Sequence, residues 1–145
     1  MPNSLDNFVI NLQKEIIKKE IKDHNKKIVE LFHNPKNWGK PPKEEITILE
    51  EKQDELKGFF LGLYLKIEDD IIITANFITD GCGVMVATGS QLTTMICGKS
   101  VEFAEKLSPD SLITALEGIP PDEINCINLA IKTIRNAIKK YKVIK

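Results

Sequence analysis

Apolar residues recur at spacings of three, four and seven in two long stretches, which predicts a helix near each end of the chain. The first covers residues 4–33, with Lys and Glu between the apolar positions and a break near residues 22–25 that divides it into two helices. The second is the most regular and starts behind two prolines, as helices often do. Its apolar face holds Ile124, Ile127, Ile131, Ile134, Ile138 and Tyr141.

The middle of the chain alternates with period two, which is typical of strands. Residues 58–78 predict a hairpin whose turn is the sequence EDD, and residues 44–51 offer a third strand. The inward positions predicted for the hairpin are Leu61, Leu63, Leu65 and Ile67 on one strand and Ile71, Ile73 and Ala75 on the other. Residues 33–45 contain three prolines and a glycine, so no regular structure is expected there.

From Cys82 the pattern becomes helical again, with Met85, Gly89, Leu92 and Ile96 on one face and Gly98 at the position of a terminal glycine cap. Residues 100–107 and 108–118 predict two short helices. The order of helix, sheet and helices predicts an α+β fold, in which helices pack on one face of a small antiparallel sheet of about three strands. An additional long helix is expected at the N-terminus.

Composition limits the class of protein. The chain has 145 residues, enough for one domain, and 20 basic against 21 acidic residues, so neither nucleic acid nor an anionic membrane is an expected partner. No apolar run approaches the ~20 residues that cross a bilayer, and the first residues lack the pattern of a secretory signal. Three cysteines, an odd number, indicate free or metal-bound thiols in a reducing compartment, the cytoplasm.

Two of these cysteines begin predicted helices. Cys82 lies between Gly81 and Gly83, which remove side-chain bulk beside the sulfur, and Cys126 lies in the first turns of the last helix. The positive end of a helix dipole favours thiolate, the form that binds iron or zinc. Cys97 ends its helix, where the dipole has the opposite sign, and is not a candidate. More than forty residues separate Cys82 from Cys126, so purely structural thiols remain an alternative.

Four stretches resemble the scaffold family of iron–sulfur cluster assembly, the IscU proteins and the N-terminal domain of NifU. They are IVELFHNPKNWGK (28–40), KGFFLGLYLKI (57–67), ANFITDGCGVMVATGSQLTTMICGKSVEFA (75–104) and LEGIPPDEINCINLAIKTIRNAIKKY (116–141). The resemblance covers roughly residues 24–142. It implies a division into an N-terminal helical extension, residues 1–23, and an IscU/NifU-like domain, residues 24–145.

The resemblance implies a protein that is not an enzyme but assembles an iron–sulfur cluster with three cysteines, an aspartate and a histidine. Cys82 and Cys126 match two of those cysteines. The first cysteine falls near Lys57, Phe59 replaces the aspartate, and Asn125 replaces the histidine, so this chain is a divergent member.

Three functions follow from this pattern. In the first, Cys82 and Cys126 bind iron or a [2Fe–2S] or [4Fe–4S] cluster, with zinc as a possible substitute. Since a cluster usually takes four protein ligands, a homodimer would supply them. A cysteine desulfurase and apo acceptor proteins are the implied partners. In the second, the chain is an adaptor that docks on the desulfurase without a cluster. In the third, it stores zinc or iron with an outside ligand.

Overall fold

Five helices and three strands follow one another along residues 25–145, the part of the chain that the computed structural model describes. The helices are α1 (Lys26–His33), α2 (Gly83–Ile96), α3 (Val101–Glu105), α4 (Pro109–Ala115) and α5 (Ile124–Ile144). The strands are β1 (Ile48–Gln53), β2 (Phe60–Glu68) and β3 (Ile71–Thr79). No helix of these residues is long and apolar enough to cross a membrane.

The predicted α+β class is confirmed, with a three-stranded antiparallel sheet in the order β1-β2-β3. Asp69 and Asp70 form the two-residue turn between β2 and β3, both with positive φ, as such tight hairpins require. The inward side chains of β2 are buried, and α2 and α5 pack against the sheet. The hairpin is therefore the centre of the core.

The break predicted near residues 22–25 agrees with the start of α1. Asn25 caps this helix by accepting a hydrogen bond from Ile28 N at 2.8 Å, and its amide donates to the carbonyl oxygens of Leu116 and Gly118. The earlier part of the predicted N-terminal helix lies outside the described residues. The division into residues 1–23 and 24–145 therefore stays a prediction.

Two local predictions were wrong. Lys43–Glu45 form a short 3-10 turn inside the segment expected to be irregular, with Pro42 as its N-cap. On β3, Ile71 and Ile73 are exposed whereas Ile72 is buried. The cause is a β-bulge: Lys66 pairs with Thr74 but Ile67 pairs with Ile72, so Ile73 is the extra residue and the alternation shifts by one.

Close packing of α2 on β3 depends on a glycine in the middle of the helix. A Cβ atom on Gly89 would lie only 2.4 Å from Cδ2 of the buried Phe77 ring, so the helix axis approaches the strand where only glycine fits. The face predicted for α2, with Met85, Leu92 and Ile96, is fully buried. This contact holds the first turn of α2 beside the end of β3.

Candidate metal centre

The loop between β3 and α2 carries the first cysteine of the site. Asp80 Oδ1 accepts a hydrogen bond from Phe60 N at 2.7 Å, and Thr79 Oγ1 accepts one from Gly81 N at 3.0 Å. The first bond ties the corner to the start of β2, and the second closes the corner on itself. The Thr79 hydroxyl also donates to the carbonyl oxygen of Phe60, which is a second tie to β2. Cys82 follows as the N-cap residue of α2, with an exposed side chain.

The second cysteine comes from the start of α5. Pro121–Glu123 form a 3-10 turn that runs directly into α5. Cys126 is the third residue of α5 and is fully buried. Oε2 of Glu123 lies 3.8 Å from Sγ of Cys82 and 3.7 Å from Sγ of Cys126. The two sulfurs and a carboxylate oxygen all lie within 4.8 Å of one another.

The structure thus brings Cys82 and Cys126 together and leaves Cys97 apart. Cys97 is exposed at the far end of α2, where its thiol donates to the carbonyl oxygen of Ile73 at 3.4 Å. That these two cysteines are the ligands of a metal or cluster stays a prediction.

Of the residues at the family's other ligand positions, Lys57 reaches the site. Its ammonium nitrogen lies 4.0 Å from Oε2 of Glu123 and donates to the carbonyl oxygen of Asp122 at 3.0 Å. Phe59 packs against the hydrophobic core instead. The acidic residue beside the sulfurs, Glu123, therefore has a cation close to it.

The two thiols differ in acidity, so the expectation of two thiolates was wrong for one of them. A hydrogen bond from the Cys126 thiol, with the N–H groups of Met85 and Val84, lowers the pKa of Cys82 to about 6, although burial and Glu123 act against this. The hydrogen bond to Cys82 and burial raise the pKa of Cys126 well above its usual value. Cys82 is therefore the thiolate at neutral pH and Cys126 the thiol.

The glycines beside Cys82 are explained by packing. A Cβ on Gly81 would lie 2.8 Å from Cβ of Met85, and one on Gly83 would lie 3.1 Å from the Phe32 ring. The Met85 and Phe32 side chains therefore occupy the space that Gly81 and Gly83 leave free.

Glu123 is the functional candidate that sequence reasoning missed. It precedes Cys126 by three residues, and residues three apart lie on the same face of a helix. That spacing was the available signal, but the carboxylate also had to reach Cys82, 41 residues away. Only the folded chain shows this distance.

The donor set suits a particular group of metals. Thiolates favour zinc, iron and iron–sulfur clusters over magnesium or calcium, and a carboxylate is an accepted further ligand of zinc and iron. The residues present therefore fit an iron ion, a zinc ion or part of a cluster.

Comparison with known proteins gives a consistent result. The model of the NifU-like N-terminal domain matches residues 23–145. A relative from Archaeoglobus fulgidus, named an iron–sulfur cluster assembly scaffold protein IscU, is 34% identical over 118 residues, which are 81% of this chain and 76% of that protein. A relative from Drosophila melanogaster, named an iron–sulfur cluster assembly enzyme IscU, is 31% identical over 83% of this chain and 79% of its own length.

A solved structure has the same fold. The crystal structure of a nitrogen-fixing NifU-like protein, its N-terminal part, from Brucella abortus superposes with a TM-score of 0.65. The match covers 87% of this chain and 97% of that one at 16% sequence identity.

Proposed function

Because the chain belongs to the NifU-like N-terminal domain family, we propose that it is a scaffold or carrier in iron–sulfur cluster assembly. Iron or the cluster is its cargo, held through Cys82 and Cys126. The names of the relatives support a role in iron–sulfur cluster assembly. The meeting of these two sulfurs beside Glu123 supports the site, because segments more than forty residues apart place their donors within 4.8 Å.

The chain's own residues would receive the two components of the cluster. Cys82, as the thiolate and exposed to a partner, is the better nucleophile for the outer sulfur of a persulfide on a cysteine desulfurase, whose thiolate would be the leaving group. Two electrons from an outside reductant would then convert each transferred sulfur into sulfide. Cys126, which is buried next to Cys82, would be the second ligand. Apo acceptor proteins would then take the cluster by ligand exchange, so the chain itself turns over no substrate and is not an enzyme.

A complete cluster needs more ligands than these two sulfurs. Since iron–sulfur clusters usually take four protein ligands, a second copy in a homodimer or an outside thiol would complete the set. A reducing compartment such as the cytoplasm suits a site whose cysteines are free.

Anaerobic reconstitution tests the proposal. The reduced chain is incubated with ferrous iron and sulfide, and the visible absorbance is recorded together with the oligomer mass. We expect a coloured protein whose absorbance is lost in Cys82→Ala and Cys126→Ala, because each removes a ligand, and is kept in Cys97→Ala, whose sulfur lies at the other end of α2.

A colourless native chain, or colour that survives loss of either site cysteine, would contradict the proposal. A colourless chain that still captures a cysteine desulfurase would instead support the adaptor function.

A further inference from the structure

Glu123 lies where a third metal ligand would have to lie. In a tetrahedral site with sulfur at about 2.3 Å and oxygen at about 2.1 Å from zinc, each sulfur is ~3.6 Å from the oxygen. The observed separations from Oε2 are 3.8 Å to Cys82 and 3.7 Å to Cys126. Only small movements would therefore bring all three atoms onto one ion.

The carboxylate of Glu123 is also held in this place. Its backbone N–H donates to the carbonyl oxygen of Pro120 at 2.9 Å, which closes the 3-10 turn behind two prolines. Its side chain is 20% exposed, and Lys57, whose ammonium lies near the same oxygen, is tied to this turn by its hydrogen bond to Asp122 O. A carboxylate restrained in this way needs little reordering to bind a cation.

The charges of the site suit a divalent cation. Two thiolates and a carboxylate carry three negative charges, and a bound divalent ion reduces this to a net charge of one negative. The ammonium of Lys57, 4.0 Å from Oε2 of Glu123, offsets the remaining negative charge. Without a cation, the Glu123 oxygen, 3.8 Å and 3.7 Å from the two sulfurs, repels negative charge on them.

We propose that Glu123 is the third protein ligand, beside Cys82 and Cys126, of a single zinc or ferrous ion bound by one chain, with one coordination position left for an outside ligand. This inference rests on the proposed function, because it describes how the same site takes up its first metal ion. Binding forms two metal–sulfur bonds and one metal–oxygen bond, releases the proton of Cys126 to solvent and changes no oxidation state. Cys82 is exposed, so the ion can enter from solvent.

The test is a metal titration of the full, reduced chain without sulfide. Cobalt(II) reports its ligands through thiolate-to-metal absorbance, and zinc competes with it to give the dissociation constant. Native protein is compared with Glu123→Gln, which keeps the side-chain shape but removes the anionic ligand. Asp122→Asn is the matched control, since it removes the same charge one residue away.

We expect one metal ion per monomer. X-ray absorption of the zinc-bound protein should show two sulfur ligands, with oxygen as the remaining ligand type. Removing a residue that only hydrogen-bonds to a metal ligand weakens metal binding by about 10–100-fold. Loss of a direct ligand in Glu123→Gln should therefore weaken metal binding at least ~10-fold. Asp122→Asn should change it by less than about twofold, because an exposed charge is screened by solvent.

Equal affinities of Glu123→Gln and Asp122→Asn would overturn the inference, as would one ion per two chains with four sulfurs. Either result leaves the proposed function intact if Cys82→Ala and Cys126→Ala still abolish binding. Metal binding that is insensitive to both cysteines would contradict the proposed function itself.

Discussion

Cys82 and Cys126 have the same side chain and both begin helices, yet the fold gives them opposite acidities. A helix dipole favours thiolate at either place, but Cys126 is close to Cys82, buried and near Glu123, and all three raise its pKa. The sequence could locate both thiols at helix starts. It could not assign the charge, because burial and the neighbouring sulfur decide which one keeps the proton.

Alkylation of Cys82 as a function of pH tests this assignment. In a Cys97→Ala background, the rate of modification should rise through a pKa of about 6, because thiolate is the reactive form. Adding Cys126→Ala removes the hydrogen bond that favours the thiolate, so the midpoint should move to higher pH. Peptide mass mapping identifies the modified residue.

Cys126→Ser is the matched control, because its hydroxyl can still donate a hydrogen bond to Cys82. Its midpoint should lie below that of Cys126→Ala. Identical midpoints in all three proteins would show that Cys126 does not set the acidity of Cys82.

Among the elements, helices were easier to predict than the phase of a strand. α2 and α5 carry long apolar faces, and their positions agree with the sequence pattern. On β3, three consecutive isoleucines fit either phase of a strand, and the bulge at Ile73 selects the phase that buries Ile72. A bulge depends on the paired strand, which a single strand's pattern does not contain.

The contact between α2 and β3 is tested by adding one methyl group. Gly89→Ala should lower the free energy of unfolding by about 1–3 kcal/mol, because the new Cβ overlaps the buried Phe77 ring. Gly83→Ala, in the same helix, should cost less than about 1 kcal/mol, since its neighbour Phe32 is partly exposed and alanine reduces the freedom of the unfolded chain. Urea unfolding followed by circular dichroism measures both.

Equal effects of the two substitutions would show that the approach of α2 to β3 is not what restricts position 89. A larger loss for Gly83→Ala would contradict the account outright.

For the whole molecule, the sequence predicted the α+β class and the candidate cysteines, whereas the composition of the site depends on the fold. Three segments meet there: the loop before β2 brings Lys57, the corner before α2 brings Cys82, and the start of α5 brings Glu123 and Cys126. The separation of the two cysteines along the chain left structural thiols as an alternative. Sheet order and helix packing, which no local pattern encodes, place the sulfurs side by side.

A scaffold differs from a metal store in that it gives up its cargo, so cluster transfer tests the central claim most directly. The chain is reconstituted with isotope-labelled sulfide, separated from free reagents and mixed anaerobically with an apo ferredoxin as acceptor. We predict that label and visible absorbance move together to the ferredoxin, and that Cys82→Ala and Cys126→Ala transfer neither. Label that stays on the chain, or reaches the ferredoxin equally well without these cysteines, would contradict the account.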